Sequence, residues 1–60
     1  MRRFNVSPDI EDATKPVIQN LALKDVLSCG DFSVEETELI ADLQPGKQIE
    51  LDGILIARLE

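Results

Sequence analysis

The segment that decides the fold is Lys47–Leu59, KQIELDGILIARL, in which two apolar-rich runs flank the dipeptide Asp52-Gly53. This dipeptide between hydrophobic runs is the strongest short-range signal for a β-hairpin. A type I′ turn needs positive φ at both central residues; aspartate tolerates that conformation and glycine adopts it without steric cost. The segment therefore predicts a hairpin with a two-residue turn, around which the rest of the chain must be arranged.

The two-residue turn also predicts the register of the hairpin. The expected pairs are Leu51–Ile54, Glu50–Leu55, Ile49–Ile56, Gln48–Ala57 and Lys47–Arg58. Because side chains alternate along a strand, one face should present an aliphatic plate to the core. Its members are Ile49, Leu51, Ile54 and Ile56.

The other face of the hairpin is less regular. The first strand contributes the polar Gln48 and Glu50, but the second contributes Leu55, Ala57 and Leu59. A strand that is apolar on both faces is usually buried on both. Residues 54–59 therefore either lie centrally in a sheet, beside residues 2–6, or pack against another chain. Helices that wrap both faces are the alternative, but so short a chain has little to cover them with. Leu55, Ala57 and Leu59 are thus the candidate apolar interface.

The helix start with the clearest signal is Ser33, which forms a capping box with Glu36. Leu39, Ile40 and Leu43 give this predicted helix, over 34–43, one apolar face. Gln44-Pro45-Gly46 ends the helix and leads the chain into the hairpin.

The N-terminal half predicts further helix. Ser7 and Pro8 suit an N-cap and a first helical position, so we expect a short helix from Pro8 to about Thr14, ended by Pro16. Residues 16–29 also favour a helix, although their apolar residues spread around most of its circumference. The alternative for this segment is a strand through 17–23 followed by a short helix from Lys24.

These elements predict one α+β domain over residues 1–60. In this prediction N-terminal helices and a capped helix pack on a C-terminal β-hairpin, and residues 2–6 are a candidate third strand. With 60 residues, a chain buries only about 60% of the surface that it exposes when unfolded. A single core of this size contributes roughly 3–5 kcal/mol. The chain has one cysteine and no histidine, so neither an intrachain disulfide nor a zinc site is expected to add stability. Self-association remains, and we expect a homodimer or a higher oligomer.

Charge and composition argue against several partners. The net charge is −6 and the aromatic content is 3%, which disfavours nucleic acid and an anionic membrane surface. No apolar run approaches the roughly 20 residues of a transmembrane helix. Residues 1–12 carry two arginines without the apolar stretch of a secretory signal, so a cytoplasmic location is expected.

Side chains for catalysis are also scarce. Histidine, the usual general base near neutral pH, is absent, and Cys29 has no second cysteine to work with. The serines are better explained as caps, and neither an EF-hand loop nor a phosphate-binding glycine loop occurs. The sequence predicts no enzyme, no catalytic, cofactor-binding or metal-binding residue, and no small-molecule substrate.

The sequence therefore favours a non-enzymatic interaction module, a small regulator or adaptor that binds protein and forms a homo-oligomer. A second interpretation uses the acidic residues Glu35, Glu38 and Asp42 on one helix, which could face a basic partner or imitate DNA phosphates towards a nucleic-acid-binding protein. Ordinary solubility is the simpler explanation of those charges. The third interpretation is a DNA-binding regulator, and it is the weakest because the net charge opposes it. Its residues would be Arg2, Arg3, Lys47 and Arg58.

Overall fold

The computed structural model describes residues 2–12 and 14–60 and contains four strands and two short helices there. In chain order these are β1 (Phe4–Ser7), β2 (Ile18–Leu21), α1 (Leu23–Leu27), α2 (Val34–Ala41), β3 (Gln48–Leu51) and β4 (Ile54–Arg58). The strands form one antiparallel sheet in the order β2-β1-β4-β3. The hairpin is thus half of a larger sheet.

The predicted order of N-terminal helices on a C-terminal hairpin is wrong, because the chain begins with two strands and both helices follow them. Residues 8–12 and 14 contain no helix; Ala13, within the predicted helix, lies outside the described residues. Aspartate side chains bind main-chain N–H groups in this segment. Asp9 Oδ1 accepts the Glu11 N–H at 3.1 Å, and Asp12 Oδ1 accepts the Thr14 N–H at 3.0 Å. Such local bonds offer the backbone an alternative to a helix that is too short to be stable alone.

The single helix predicted over 16–29 is also wrong, and the alternative of a strand followed by a short helix is the observed one. Residues 18–21 pair with β1, with Leu21 opposite Phe4 and Ile18 opposite Val6. This pairing explains why the apolar residues fit no narrow helical stripe. They belong to two elements with different periods.

The hairpin itself is confirmed. β3 and β4 pair in the predicted register, from Leu51 opposite Ile54 to Gln48 opposite Ala57. Asp52 and Gly53 have φ of 53° and 80°, as a type I′ turn requires. β1 pairs with the far side of β4, so β4 is a central strand.

The core lies between one face of the sheet and the two helices. Among the residues that the structure describes, five large side chains have no exposed surface: Phe4, Val6, Val26, Ile40 and Ile56. Ile49, Leu51 and Ile54 pack against them, so the predicted aliphatic plate faces this core. Because Val26 of α1 and Ile40 of α2 belong to the same cluster, both helices cover the same face. The described residues therefore form two layers, with both helices on the same side of the sheet.

The predicted capping box begins α2. Ser33 Oγ accepts the Glu36 N–H at 3.2 Å, and the Glu36 carboxylate accepts the Ser33 N–H at 2.9 Å. The helix ends at Ala41, slightly before the predicted end. Among the described residues, neither helix has the length and apolar character that crossing a membrane requires.

Candidate interaction surfaces

We call the face of the sheet that points away from the helices the open face. Side chains alternate along each strand, so the neighbours of the core residues Phe4, Val6 and Ile56 point to this side. Three ladder positions define it: Leu55 lies between Ser7 and Glu50, Ala57 lies between Asn5 and Gln48, and Leu59 follows beside Arg3.

The apolar stripe is the row formed by Leu55, Ala57 and Leu59, the predicted interface residues. None of them belongs to the core cluster or to the apolar side chains packed against it. Leu55 and Ala57 are half-buried between the flanking strands, and Leu59 is 48% exposed. The stripe is one strand wide and has polar side chains on both flanks.

β2, which forms one edge of the sheet, contains a β-bulge. Two residues of β2, Gln19 and Asn20, lie opposite the single residue Asn5 of β1. Asn20 has a φ of 60°, a left-handed conformation that asparagine tolerates better than most residues. Asn5 Oδ1 accepts the Asn20 N–H at 3.1 Å, and Arg3 Nη1 donates to the Asn20 carbonyl at 3.3 Å. The sequence did not predict this cluster, since only the tolerance of asparagine for positive φ hints at it.

The acidic surface consists of Glu35, Glu38 and Asp42, all exposed on α2 or at its C-cap. At 100° per residue the three carboxylates fall close together, on the side of the helix opposite the buried Ile40. Two large apolar side chains flank them: Val34 is 76% exposed and Leu39 is 51% exposed. The structure therefore brings the predicted acidic residues together and adds an apolar margin.

The basic residues do not form one surface. Arg58 lies on the helix side of the sheet, where its Nη1 donates to the Leu43 carbonyl at 2.7 Å and its Nε donates to the Glu60 carbonyl at 2.9 Å. Arg3 lies on the open face and holds Asn20. The sheet thus separates two of the four side chains on which a DNA-binding regulator would depend.

Polar side chains that could serve chemistry have local structural partners. The Cys29 thiol is half-buried and donates to the Asp25 carbonyl at 3.2 Å, and the Ser28 hydroxyl donates to the Lys24 carbonyl at 3.0 Å. Hydrogen bonds from the Thr14 hydroxyl and then the Thr14 N–H lower the pKa of the Asp12 carboxyl. Within residues 2–12 and 14–60 there is no pocket and no group of three or more potential metal ligands.

No protein-family model, curated protein or solved structure matches this chain.

Proposed function

We propose that the protein is a non-enzymatic interaction module that binds protein, including a second copy of itself, through the apolar stripe Leu55, Ala57 and Leu59. It would act as a small regulator or adaptor in the cytoplasm, where the Cys29 thiol stays reduced. One observation carries the proposal: the open face has a polar row from each neighbouring strand but an apolar row from β4.

An antiparallel sheet with one solvated face normally alternates between apolar and polar side chains. β1 follows this rule with Asn5 and Ser7, and β3 follows it with Gln48 and Glu50. β4 does not, although its main chain is satisfied on both sides by β1 and β3. The unusual feature of β4 is therefore its apolar side chains on the open face, not an unpaired main chain. Contact with another sheet face would remove these side chains from water, and packed sheets interdigitate in this way.

A matched pair of leucines tests the stripe. Leu59 and Leu39 are 48% and 51% exposed, but they lie on opposite layers of the domain. We expect Leu59→Lys to lower the mass measured by light scattering at high protein concentration, whereas Leu39→Lys leaves it unchanged. Leu55→Lys should act like Leu59→Lys, with the far-ultraviolet circular dichroism of the helices retained in all three variants. A mass that stays monomeric in the wild type at every concentration excludes the homo-oligomer.

The acidic surface supports a second candidate function, an inhibitor that occupies a basic, nucleic-acid-binding protein. The observation in its favour is that Glu35, Glu38 and Asp42 share the outward side of α2 between Val34 and Leu39. Charge complementarity would speed association and make binding sensitive to salt.

Capture of host proteins that elute from DNA-cellulose tests this second candidate. Glu35→Lys combined with Glu38→Lys should abolish capture, and rising salt should weaken it for the wild type. A control with the same change in net charge is Glu11→Lys combined with Asp25→Lys, both exposed and both outside α2. Equal loss in the control pair would show that only net charge matters.

A further inference from the structure

The two edges of the sheet differ in a way that indicates how copies of this chain could join. β2, one edge, carries the bulge at Asn20, whose N–H and carbonyl are taken by the side chains of Asn5 and Arg3. Bulges of this kind twist an edge away from further pairing. β3, the other edge, pairs with β4 without any register shift. Only β3 is a regular, unbulged edge.

The main-chain groups on the outer side of β3 belong to Gln48 and Glu50. The Arg58 N–H donates to the Lys47 carbonyl at 2.9 Å, which makes Lys47 an inward position of the β3–β4 ladder. Because hydrogen-bonding positions alternate along an antiparallel strand, Ile49 and Leu51 also face β4. The N–H and C=O groups of Gln48 and Glu50 then point away from the sheet.

We propose that a second copy of this chain docks on this edge by antiparallel pairing of β3 with β3, centred on Ile49. In this register Gln48 lies opposite Glu50 of the second copy, and Glu50 lies opposite its Gln48. Each such pair exchanges both main-chain hydrogen bonds, so every outward-facing group of the two residues is satisfied in both copies. The amide of Gln48 can also donate to the facing carboxylate.

The neighbouring registers are worse for identifiable reasons. Centring on Gln48 places Glu50 opposite Gly46. Gly46 is not in a strand conformation, since its φ is 80°, and its N–H already donates to the Arg58 carbonyl. Centring on Glu50 places the two Glu50 carboxylates directly opposite each other, and like charges in that position repel. The register centred on Ile49 alone satisfies all outward groups without facing like charges.

This edge is separate from the apolar stripe, and its use does not depend on the proposed function. Pairing at β3 would give a continuous sheet in the order β2-β1-β4-β3-β3-β4-β1-β2, with the stripes of both copies on one side of it. A contact limited to two short strands buries little surface, so we expect a weak, concentration-dependent dimer.

Amide hydrogen exchange read by NMR tests the edge directly on the full chain. The amides of Gln48 and Glu50 should exchange freely at low protein concentration and become protected as concentration rises. Those of Ile49 and Leu51 should be protected throughout by β4. Exchange of the Gln48 and Glu50 amides that is independent of concentration overturns the proposal.

Charge substitutions at Gln48 test the register. Gln48→Lys places a cation opposite Glu50 of the second copy and should tighten the dimer, whereas Gln48→Glu should weaken it, each by on the order of tenfold. The same two substitutions at the exposed Gln19 of β2 serve as controls and should leave the dissociation constant unchanged. Equal constants for the two Gln48 variants refute the register.

Glu50→Pro removes an outward N–H while keeping the ladder to β4, since proline is tolerated on an edge strand at such a position. We expect it to abolish the concentration-dependent protection at Gln48. If the variant fails to fold, the Gln48 pair still decides the matter. Leu59→Lys should leave this protection in place, so that failure of the apolar stripe and failure of the β3 edge give different results.

Discussion

Two adjacent residues of β4 should respond very differently to the loss of one methylene group. Ile56 has no exposed surface and lies between Val6 and Ile49 in the core face of the sheet, whereas Leu55 points to the open face. Ile56→Val leaves a small cavity and should lower the free energy of unfolding by about 1 kcal/mol. Leu55→Val removes the same group from a half-buried site and keeps good strand propensity, so its cost should stay below about 0.5 kcal/mol.

The difference is large for a domain of this size. Against a total stability of roughly 3–5 kcal/mol, the Ile56 variant should lose about 4–8 °C in Tm. The chain has neither tryptophan nor tyrosine, so urea and thermal unfolding are followed by far-ultraviolet circular dichroism, at a protein concentration low enough to keep the chain monomeric. Equal destabilisation by the two variants would refute the assignment of Leu55 to an uncovered face, and with it the basis of the proposed function.

Three further predictions concern single contacts. Ser33→Ala should cost about 1 kcal/mol in urea unfolding by removing the cap of α2, whereas Ser28→Ala, at an exposed hydroxyl, should stay within about 0.5 kcal/mol. Asn20→Gly should unfold at nearly the wild-type urea concentration but Asn20→Val at a clearly lower one, because φ is 60° there; equal midpoints would contradict the bulge. The pKa of Asp12 is lower folded than unfolded, so its bonds to Thr14 stabilise the fold above the unfolded pKa, and this contribution is lost as pH falls through the folded pKa. Thr14→Val should therefore raise the Asp12 pKa in an NMR titration, and its stability deficit relative to wild type should vanish in acid.

Local signals predicted the parts of this fold that depend on a few neighbouring residues. The Asp52-Gly53 turn gives the hairpin register, and Ser33 with Glu36 gives the start of α2, because each is a contact within one turn of chain. The prediction of a helix between Pro8 and Thr14 is wrong for a reason that is also local. Its acidic residues suit a helix start, but aspartate side chains satisfy turns equally well.

The candidate surfaces also differ in how far the local sequence predicts them. The acidic residues of α2 were predicted to lie together because helical spacing is local, and they do. The lack of alternation in β4 identifies the apolar stripe, but the sequence alone does not decide whether β4 is a central strand or packs against another chain. Pairing with β1 makes β4 central and satisfies its main chain, yet no helix of the described residues covers the side chains of the stripe.

The sequence by itself determined the hairpin, its register, the aliphatic plate facing the core and the capped helix, since turn geometry and alternation act over short distances. Only the tertiary structure decided that residues 18–21 form a strand, that both helices share one face, and that Asn5 and Arg3 fill the bulge at Asn20. These features depend on which distant segments meet. In so short a chain, pairing with β1 outweighs the weak helix preference of residues 16–29, because it satisfies main-chain groups and helps to enclose the core at once.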